Sequence, residues 1–168
     1  MNIFVDSNGT LEWNGKIVPC AIGASGMTAD KREGDQATPM GCFPLRRVYY
    51  RPDRVSRPRC LLPVAALDPL DAWSDEPDDP AYNSLIRQPY ETSFELMWRD
   101  DHVYDIVVTI GYNDDPAIPG KGSAIFLHLA RPDFSPTRGC VAVSMENLLR
   151  ILADCDETTR ICMDLNRP

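Results

Sequence analysis

The sequence predicts an α+β domain that is made mainly of strands, with at least one helix packed on them. Three observations support this fold class. Two Asn-Gly dipeptides, Asn8-Gly9 and Asn14-Gly15, separate short runs of β-favouring residues. Apolar residues alternate along residues 103–110, and an amphipathic pattern follows Ser144. The 15 Pro and 10 Gly suit short strands joined by turns.

The first element is a three-stranded meander. Its strands are predicted at residues 3–5, 10–13 and 16–18, on either side of the two Asn-Gly dipeptides. Asn-Gly readily adopts the positive φ angles of a tight hairpin turn. Residues 23–41 are small and polar throughout, which predicts a loop.

Further strands are predicted at residues 42–50, 103–110, 124–129, 139–143 and 161–163. In the second of these, alternation places four side chains on one face: Tyr104, Ile106, Val108 and Ile110. In the third, alternation gives two faces: Ile125, Leu127 and Leu129 on one, and Ala124, Phe126 and His128 on the other.

A helix of about three turns is predicted after Ser144, whose side chain suits an N-cap. Its apolar residues recur at the spacing i, i+3, i+4 and i+7: Met145, Leu148, Leu149 and Leu152. This spacing places one apolar stripe against the strands.

Charged residues cluster between the predicted strands in two groups. The first group is basic: Arg46, Arg47, Arg51, Arg54, Arg57 and Arg59. The second is acidic and Pro-rich: Asp68, Asp71, Asp75, Glu76, Asp78 and Asp79. Two interpretations stay open. Both groups are solvated loops, or the arginines form part of a wall that receives an anionic substrate.

Length and charge bound the function. A chain of 168 residues fits one domain, residues 1–168. The formal net charge of −8 repels phosphate backbones, so we expect no nucleic-acid partner. No apolar run approaches the length of a membrane span, so we expect no membrane insertion.

The N-terminal residues 1–6 lack the basic and apolar segments of a secretory signal. We therefore expect a cytoplasmic protein, with a periplasmic location as the alternative if the gene start is truncated or export is unconventional. In the cytoplasm the six Cys are expected to be reduced thiols. Without a Cys-x-x-Cys pair, and with two His, the sequence predicts no metal site.

One segment carries a pattern typical of thiol chemistry. His128 ends a predicted strand, and the pair Gly139-Cys140 opens another about a dozen residues later. A thiol needs a base or a cation nearby to ionise near neutral pH, and backbone N–H groups at a glycine turn can face a developing oxyanion. The alternative is a buried thiol beside a core histidine. The other Cys lack comparable neighbours, and His102 is expected in a solvated turn.

The segment Thr137-Arg138-Gly139-Cys140, with His128 before it, resembles the signature of the L,D-transpeptidase catalytic domain of the YkuD type. A second stretch, residues 38–43 (TPMGCF), is similar to the Thr-Pro-x-Gly-x-Phe of that family. The resemblance implies an L,D-transpeptidase-like β-sandwich or barrel with at least one packed helix. It covers most of the chain.

Three positions depart from the usual family pattern. Leu129 stands where Gly is common after the histidine, Arg138 where His is common, and Ala142 where Arg is common. The departures indicate a divergent member, in which Arg138 can partly replace the missing positive charge.

The resemblance also implies roles for single residues. Cys140 is the nucleophile and His128 the general base, with the backbone carbonyl of Leu129 orienting the imidazole. The N–H groups of Gly139 and Cys140, with Arg138, form the oxyanion hole, and Arg138 also binds a substrate carboxylate. Tyr112 either adds a hydroxyl to that hole or is a solvated tyrosine at a strand end. No metal and no cofactor are needed.

The implied partner is a peptidoglycan stem peptide or muropeptide. A thioester on Cys140 can react with water or with an amine. A cytoplasmic location favours water, and so an L,D-carboxypeptidase that removes terminal D-Ala from tetrapeptides in muropeptide recycling or precursor trimming. The alternatives are an L,D-transpeptidase that forms crosslinks or exchanges D-amino acids, an endopeptidase or amidase on related bonds, and a non-catalytic module that binds stem peptides. The oligomeric state is not predicted.

Overall fold

The structure, a computed structural model, describes residues 1–163, so the last five residues of the predicted domain 1–168 lie outside it. The strands are β1 (Asn2–Asp6), β2 (Thr10–Trp13), β3 (Lys16–Pro19), β4 (Met27–Thr28), β5 (Thr38–Pro39), β6 (Gly41–Tyr50), β7 (Val64–Ala66), β8 (Asp71–Ser74), β9 (Leu85–Arg87), β10 (Phe94–Leu96), β11 (Ile106–Ile110), β12 (Phe126–Leu129), β13 (Val141–Val143) and β14 (Arg160–Met163). One helix in this range, α1, covers Met145–Asp154.

Nine strands of the described chain form one sheet in the order β13-β12-β11-β6-β14-β1-β2-β3, with β7 paired to β6. The predicted meander is confirmed as β1, β2 and β3. Its second turn has positive φ at both Asn14 and Gly15, as a two-residue type I′ hairpin requires. Its first turn has three residues and needs positive φ only at Gly9.

Strand β14 occupies the middle of this sheet. It runs parallel to β1 and antiparallel to β6, which brings Cys162 opposite Cys42. The two form a disulfide, with Cα atoms 3.9 Å apart. The expectation of six reduced thiols is therefore wrong for this pair, because strand register sets them face to face. Four Cys are free thiols: Cys20, Cys60, Cys140 and Cys155.

The sheet separates two hydrophobic clusters. The alternation predicted along β12 is confirmed, since Ile125, Leu127 and Leu129 lie in one cluster, and Ala124 and Phe126 in the other. The prediction that Tyr104 shares a strand face with Ile106 is wrong. Tyr104 lies in a turn before β11 begins, and its ring packs in the second cluster, opposite Ile106.

Helix α1 covers the first cluster. Ser144 caps it as predicted, accepting a hydrogen bond from the backbone N–H of Asn147. Its buried residues are Leu148, Ile151 and Leu152, whereas Leu149 is exposed, contrary to the predicted stripe. Among residues 1–163, no helix has the length and apolar character needed to cross a bilayer.

The acidic, Pro-rich segment is ordered, which corrects its interpretation as a solvated loop. It contributes to a three-stranded sheet, β10-β8-β9, in the described chain. Asp79, which follows β8, is buried, and the backbone N–H of Ala81 and the hydroxyl of Thr92 lower the pKa of its carboxyl to about 2. It also accepts hydrogen bonds from the hydroxyls of Ser74, in β8, and Tyr90, which follows β9.

Candidate active site

Neighbouring parallel strands position the two chemically interesting side chains. His128 lies on β12 directly beside Ala142 of β13, and Cys140 immediately precedes β13. Both side chains line one cavity of about 730 Å³. They are nevertheless largely covered, with only 7% of Cys140 and 6% of His128 exposed. The cavity thus gives a ligand access to a nucleophile and a base from a single side.

The Cys140 thiol has two backbone partners. It donates to the carbonyl of Ala124, with Sγ and O 3.2 Å apart, and accepts from the N–H of Phe126 at 3.4 Å. Burial, reinforced by the negative charge of Glu95, raises the pKa of Cys140 to about 12. The resting nucleophile is therefore a thiol, and it needs a base to become reactive.

The imidazole of His128 is held in one tautomer. Its Nδ1 lies 2.9 Å from the backbone carbonyl of Leu129. A carbonyl only accepts, so Nδ1 carries the proton and Nε2 keeps its lone pair. Burial lowers the pKa of His128 to about 4. The ring is thus a neutral base. The Leu129 carbonyl holds its orientation, the role that the family resemblance implied for this carbonyl.

The loop before Cys140 is fixed by the other motif of the sequence. The Thr38 hydroxyl accepts a hydrogen bond from the N–H of Gly23, and the Gly23 backbone forms a bridge with Thr137. The Thr137 hydroxyl in turn donates to the carbonyl of Cys140, with oxygens 2.6 Å apart. Two segments that are distant in sequence thereby meet at the nucleophile.

Gly139 is required by space as well as by conformation. Its φ is +131°, and a Cβ there would lie 2.8 Å from the carbonyl oxygen of Ala37 and 3.3 Å from the side chain of Ile125. Only glycine allows the backbone of residue 37 to approach so closely. The N–H of Gly139 donates to the hydroxyl of Thr137 at 3.1 Å. In this arrangement it is already occupied, contrary to its expected place in the oxyanion hole.

Tyr112 lies apart from the cavity. Its hydroxyl donates to the carbonyl of Lys121, with oxygens 2.6 Å apart, and its ring packs edge-on against Phe43. The placement contradicts the expected oxyanion-hole role, because that hydroxyl is directed to another partner. Tyr112 follows the end of β11, as the alternative expected, but its hydroxyl is bound to a backbone carbonyl and is not a solvated group as that alternative had it.

Side chains of both charges line the cavity. The cations are Lys31, Arg99, Arg131 and Arg138, and the anions include Glu33, Asp75 and Glu95. Arg138 is exposed on this wall. The charge that lowers the pKa of Cys140 is that of Lys31, whereas Arg138 acts on Glu95. Lys31 therefore supplies a charge that favours the thiolate of Cys140.

The arginines from 46 to 59 do not line this cavity. Arg51 binds Asp53 and stacks on Trp98, with 3.7 Å from its guanidinium carbon to the ring centroid. Arg54 pairs with Asp105. The interpretation of this group as a substrate wall is therefore wrong, because none of the six arginines lines the cavity of Cys140, and three of them, Arg46, Arg51 and Arg54, are paired with aspartates elsewhere.

The cavity residues that sequence reasoning missed include Tyr104 and Glu95. Tyr104 is buried, packs edge-on against His128 and shares a hydrophobic cluster with Cys140, and its hydroxyl donates to Glu95. Neither residue belongs to a recognisable motif.

Within residues 1–163, no group of three or more His, Cys, Asp or Glu side chains is arranged to hold a metal ion.

Comparison with known proteins gives one family match. The model of the YkuD family, the L,D-transpeptidase catalytic domain, matches residues 2–162. No curated protein matches the chain. A similar solved structure is the helical cell shape determining protein Pgp2 from Campylobacter jejuni, with 16% identity and a TM-score of 0.48, covering 99% of this chain and 48% of that one. A mutant of the same protein gives 16% identity, 99% and 47% coverage and a TM-score of 0.46. The chain spans about half the length of these proteins.

Proposed function

Because the chain belongs to the YkuD family of L,D-transpeptidase catalytic domains, we propose that it is a cysteine-dependent L,D-carboxypeptidase. It removes the terminal D-Ala from peptidoglycan tetrapeptides. The observation that carries the proposal is the shared cavity, in which a buried thiol and a neutral imidazole face the same space. The cavity of about 730 Å³ lies within the usual range for small-molecule sites.

The first half of the reaction forms a thioester. His128 Nε2 takes the proton of the Cys140 thiol, and the thiolate attacks the carbonyl carbon that precedes D-Ala. The tetrahedral intermediate collapses when the imidazolium returns that proton to the D-Ala nitrogen, and D-Ala leaves. Because the resting thiol donates to Ala124, it must first rotate out of that hydrogen bond.

The second half hydrolyses the thioester. Neutral His128 takes a proton from a water molecule, and the resulting hydroxide attacks the acyl carbon. Collapse of the second intermediate expels the Cys140 sulfur, which recovers its proton from the imidazolium. The products are a tripeptide and free enzyme. The cations and carboxylates of the cavity wall suit a peptide that carries both charges, and Arg138 is exposed where a substrate carboxylate can reach it.

One observation favours a second candidate, an L,D-transpeptidase. The Cys42–Cys162 disulfide is typical of an oxidising compartment such as the periplasm, and it favours the periplasmic alternative over a cytoplasmic location. Crosslinking of peptidoglycan takes place outside the inner membrane. In that case an amine of a second stem peptide replaces water as the acceptor. Fractionation of cells that express the native gene tests the location.

Mass spectrometry of muropeptides separates the candidates. The protein is incubated with a disaccharide tetrapeptide, with and without an added D-amino acid. We expect tripeptide in both samples, little exchange and no crosslinked dimer. Dimers, or exchange faster than hydrolysis, would identify a transpeptidase. Intact-mass detection of an acyl adduct on Cys140, absent in Cys140→Ala, excludes a module that only binds.

A further inference from the structure

Tyr104 contacts both members of the Cys140–His128 pair. Its ring lies edge-on to the His128 imidazole, with centroids 5.2 Å apart. Tyr104 and Cys140 pack in the same hydrophobic cluster and line the same cavity, and the Tyr104 hydroxyl acts to lower the pKa of the Cys140 thiol. Tyr104 is itself buried, 4% exposed, and its ring also packs edge-on against Phe126. The Tyr104 ring thereby restricts rotation of the His128 imidazole.

Glu95 determines where the Tyr104 hydroxyl lies. The hydroxyl donates to Glu95 Oε1, with oxygens 2.5 Å apart. Glu95 belongs to β10, in the three-stranded sheet β10-β8-β9 (the small sheet), and it lines the same cavity as Cys140. The second oxygen, Oε2, takes no hydrogen bond from the described residues. The small sheet is thereby connected to the nucleophile through one tyrosine.

We propose that Tyr104 is a positioning residue for the Cys140–His128 pair and that Glu95 holds it in this role. The ring fixes the imidazole plane, and the bond to Glu95 fixes the ring. The two residues also act on the thiol in opposite senses. The carboxylate repels a thiolate, whereas the hydroxyl can donate to it. When His128 removes the thiol proton, the hydroxyl has a second acceptor in the sulfur.

Other charges facing these groups do not reproduce this pattern. Glu95 is faced by Arg99, Arg138 and Asp75 as well as by Tyr104. Arg99 is bound to Asp101 through two hydrogen bonds, and its nearest approach to Glu95 is 3.8 Å. Cys140 is faced by Lys31, which is paired with Asp35. Arg99 and Lys31 are therefore shared with other carboxylates, whereas the Tyr104 hydroxyl donates its hydrogen bond to Glu95.

Alkylation of Cys140 tests the inference without a substrate. Wild-type protein, Glu95→Gln and Tyr104→Phe are treated with iodoacetamide at a fixed, mildly alkaline pH, and each Cys adduct is followed by peptide mass spectrometry. Below the pKa of the thiol, the rate follows the thiolate fraction. Glu95→Gln removes the repelling charge, so we expect Cys140 to react about threefold faster or more. Tyr104→Phe removes the donor, so we expect a decrease of about the same size.

Two controls separate positioning from a general structural effect. Cys60, which is distant in the fold, reports on loosening within the same sample and should react equally in all proteins. Asp75→Asn removes a neighbouring charge that has no bond to Tyr104, and it should change the Cys140 rate less than Glu95→Gln does. The inference is overturned if the Cys140 alkylation rate changes in the same direction in Glu95→Gln and Tyr104→Phe, or if it changes in neither. If Tyr104→Phe does not fold, an unchanged rate in Glu95→Gln alone overturns it.

The inference rests on the proposed function only in taking Cys140 as the nucleophile. In turnover, Tyr104→Phe should lower kcat about tenfold or more with little change in KM, because the tyrosine orients the catalytic pair rather than the substrate. If Glu95→Gln and Tyr104→Phe change the Cys140 alkylation rate in opposite directions but the wild-type protein cleaves no stem peptide, the role of Tyr104 and Glu95 is upheld and the proposed reaction is rejected.

Discussion

The hydroxyl oxygen of Thr38 lies 2.9 Å from the backbone nitrogen of Gly23 and accepts its hydrogen bond in a fully buried position. Gly23 in turn pairs with Thr137, three residues before Cys140. The contact therefore transmits the position of one loop to the loop that carries the nucleophile. It also gives a physical reason for a threonine at the start of the first motif.

Replacing Thr38 by Val keeps the shape of the side chain and removes the acceptor. The buried N–H of Gly23 then loses its partner, and the free energy of unfolding should fall by about 1–3 kcal/mol. Thr38→Ser retains the hydroxyl and serves as the control. Urea unfolding of the three proteins measures the difference, and a Thr38→Val protein as stable as Thr38→Ser would argue against the connection.

Gly139→Ala should disable the site more than it destabilises the fold. The added methyl meets the Ala37 carbonyl at 2.8 Å in a backbone conformation that alanine rarely adopts. The loop must move, and Cys140 moves with it. Gly120→Ala is a matched control, because Gly120 also has positive φ but nothing within 4 Å of its Cβ position. We expect D-Ala release to fall at least about a hundredfold in the first variant only.

Cys140→Ala should abolish D-Ala release while leaving the fold intact. Only one sulfur atom is removed, and the loop keeps its backbone hydrogen bonds. Cys60→Ala and Cys155→Ala remove other free thiols and should retain activity, although Cys155 is buried and its loss is expected to lower stability. Release of D-Ala is quantified by chromatography. Activity that survives in Cys140→Ala would exclude a thioester at this position.

His128 should make stability depend on pH. Burial lowers its pKa from 6.5 to about 4, so between these values the unfolded chain binds a proton that the folded chain does not. The contribution of neutral His128 to the free energy of unfolding is fully present above about pH 6.5. It is lost as the pH falls towards 4, which lowers the free energy of unfolding by up to ~3 kcal/mol. In His128→Gln this part of the dependence should disappear. Urea unfolding at several pH values measures it, with His102→Gln, at an exposed position, as the control.

Arg138 should affect substrate binding more than chemistry. Its side chain is exposed on the cavity wall, so Arg138→Ala should mainly raise KM, about tenfold if it makes a charge-assisted bond to a carboxylate. Arg138→Lys keeps the charge but loses the bidentate fork, so its KM should lie between those of the wild type and Arg138→Ala. Arg46→Ala is the control, because Arg46 pairs with Asp114 outside the cavity. A fall in kcat at unchanged KM would assign Arg138 to the reaction itself.

Sequence alone predicted the elements that depend on neighbouring residues. Positive φ at Asn14 and Gly15 is a local preference, as is the cap at Ser144. The two faces of β12 also follow from strict alternation. Motif resemblance added Cys140 and His128, whose positions in one cavity the structure provides.

Pairings between distant segments were not predictable in the same way. Cys42 and Cys162 are 120 residues apart, and nothing in either neighbourhood indicates their register. Tyr104 looked like a strand residue by alternation, but the turn before β11 rotates it into the other cluster. Glu95 is one of many acidic residues, and only its contact with Tyr104 distinguishes it.

The central position of β14 has a consequence for synthesis on the ribosome. Strands β1 to β3 are complete by residue 19, and β6 by residue 50, but the strand that joins them begins at residue 160. At the usual elongation rates, more than 100 residues take on the order of ten seconds. For that time one edge of β1 and one edge of β6 have unpaired backbone groups. Such open edges are the surfaces that aggregate or recruit chaperones, so the nascent chain is most vulnerable just before its central strand emerges.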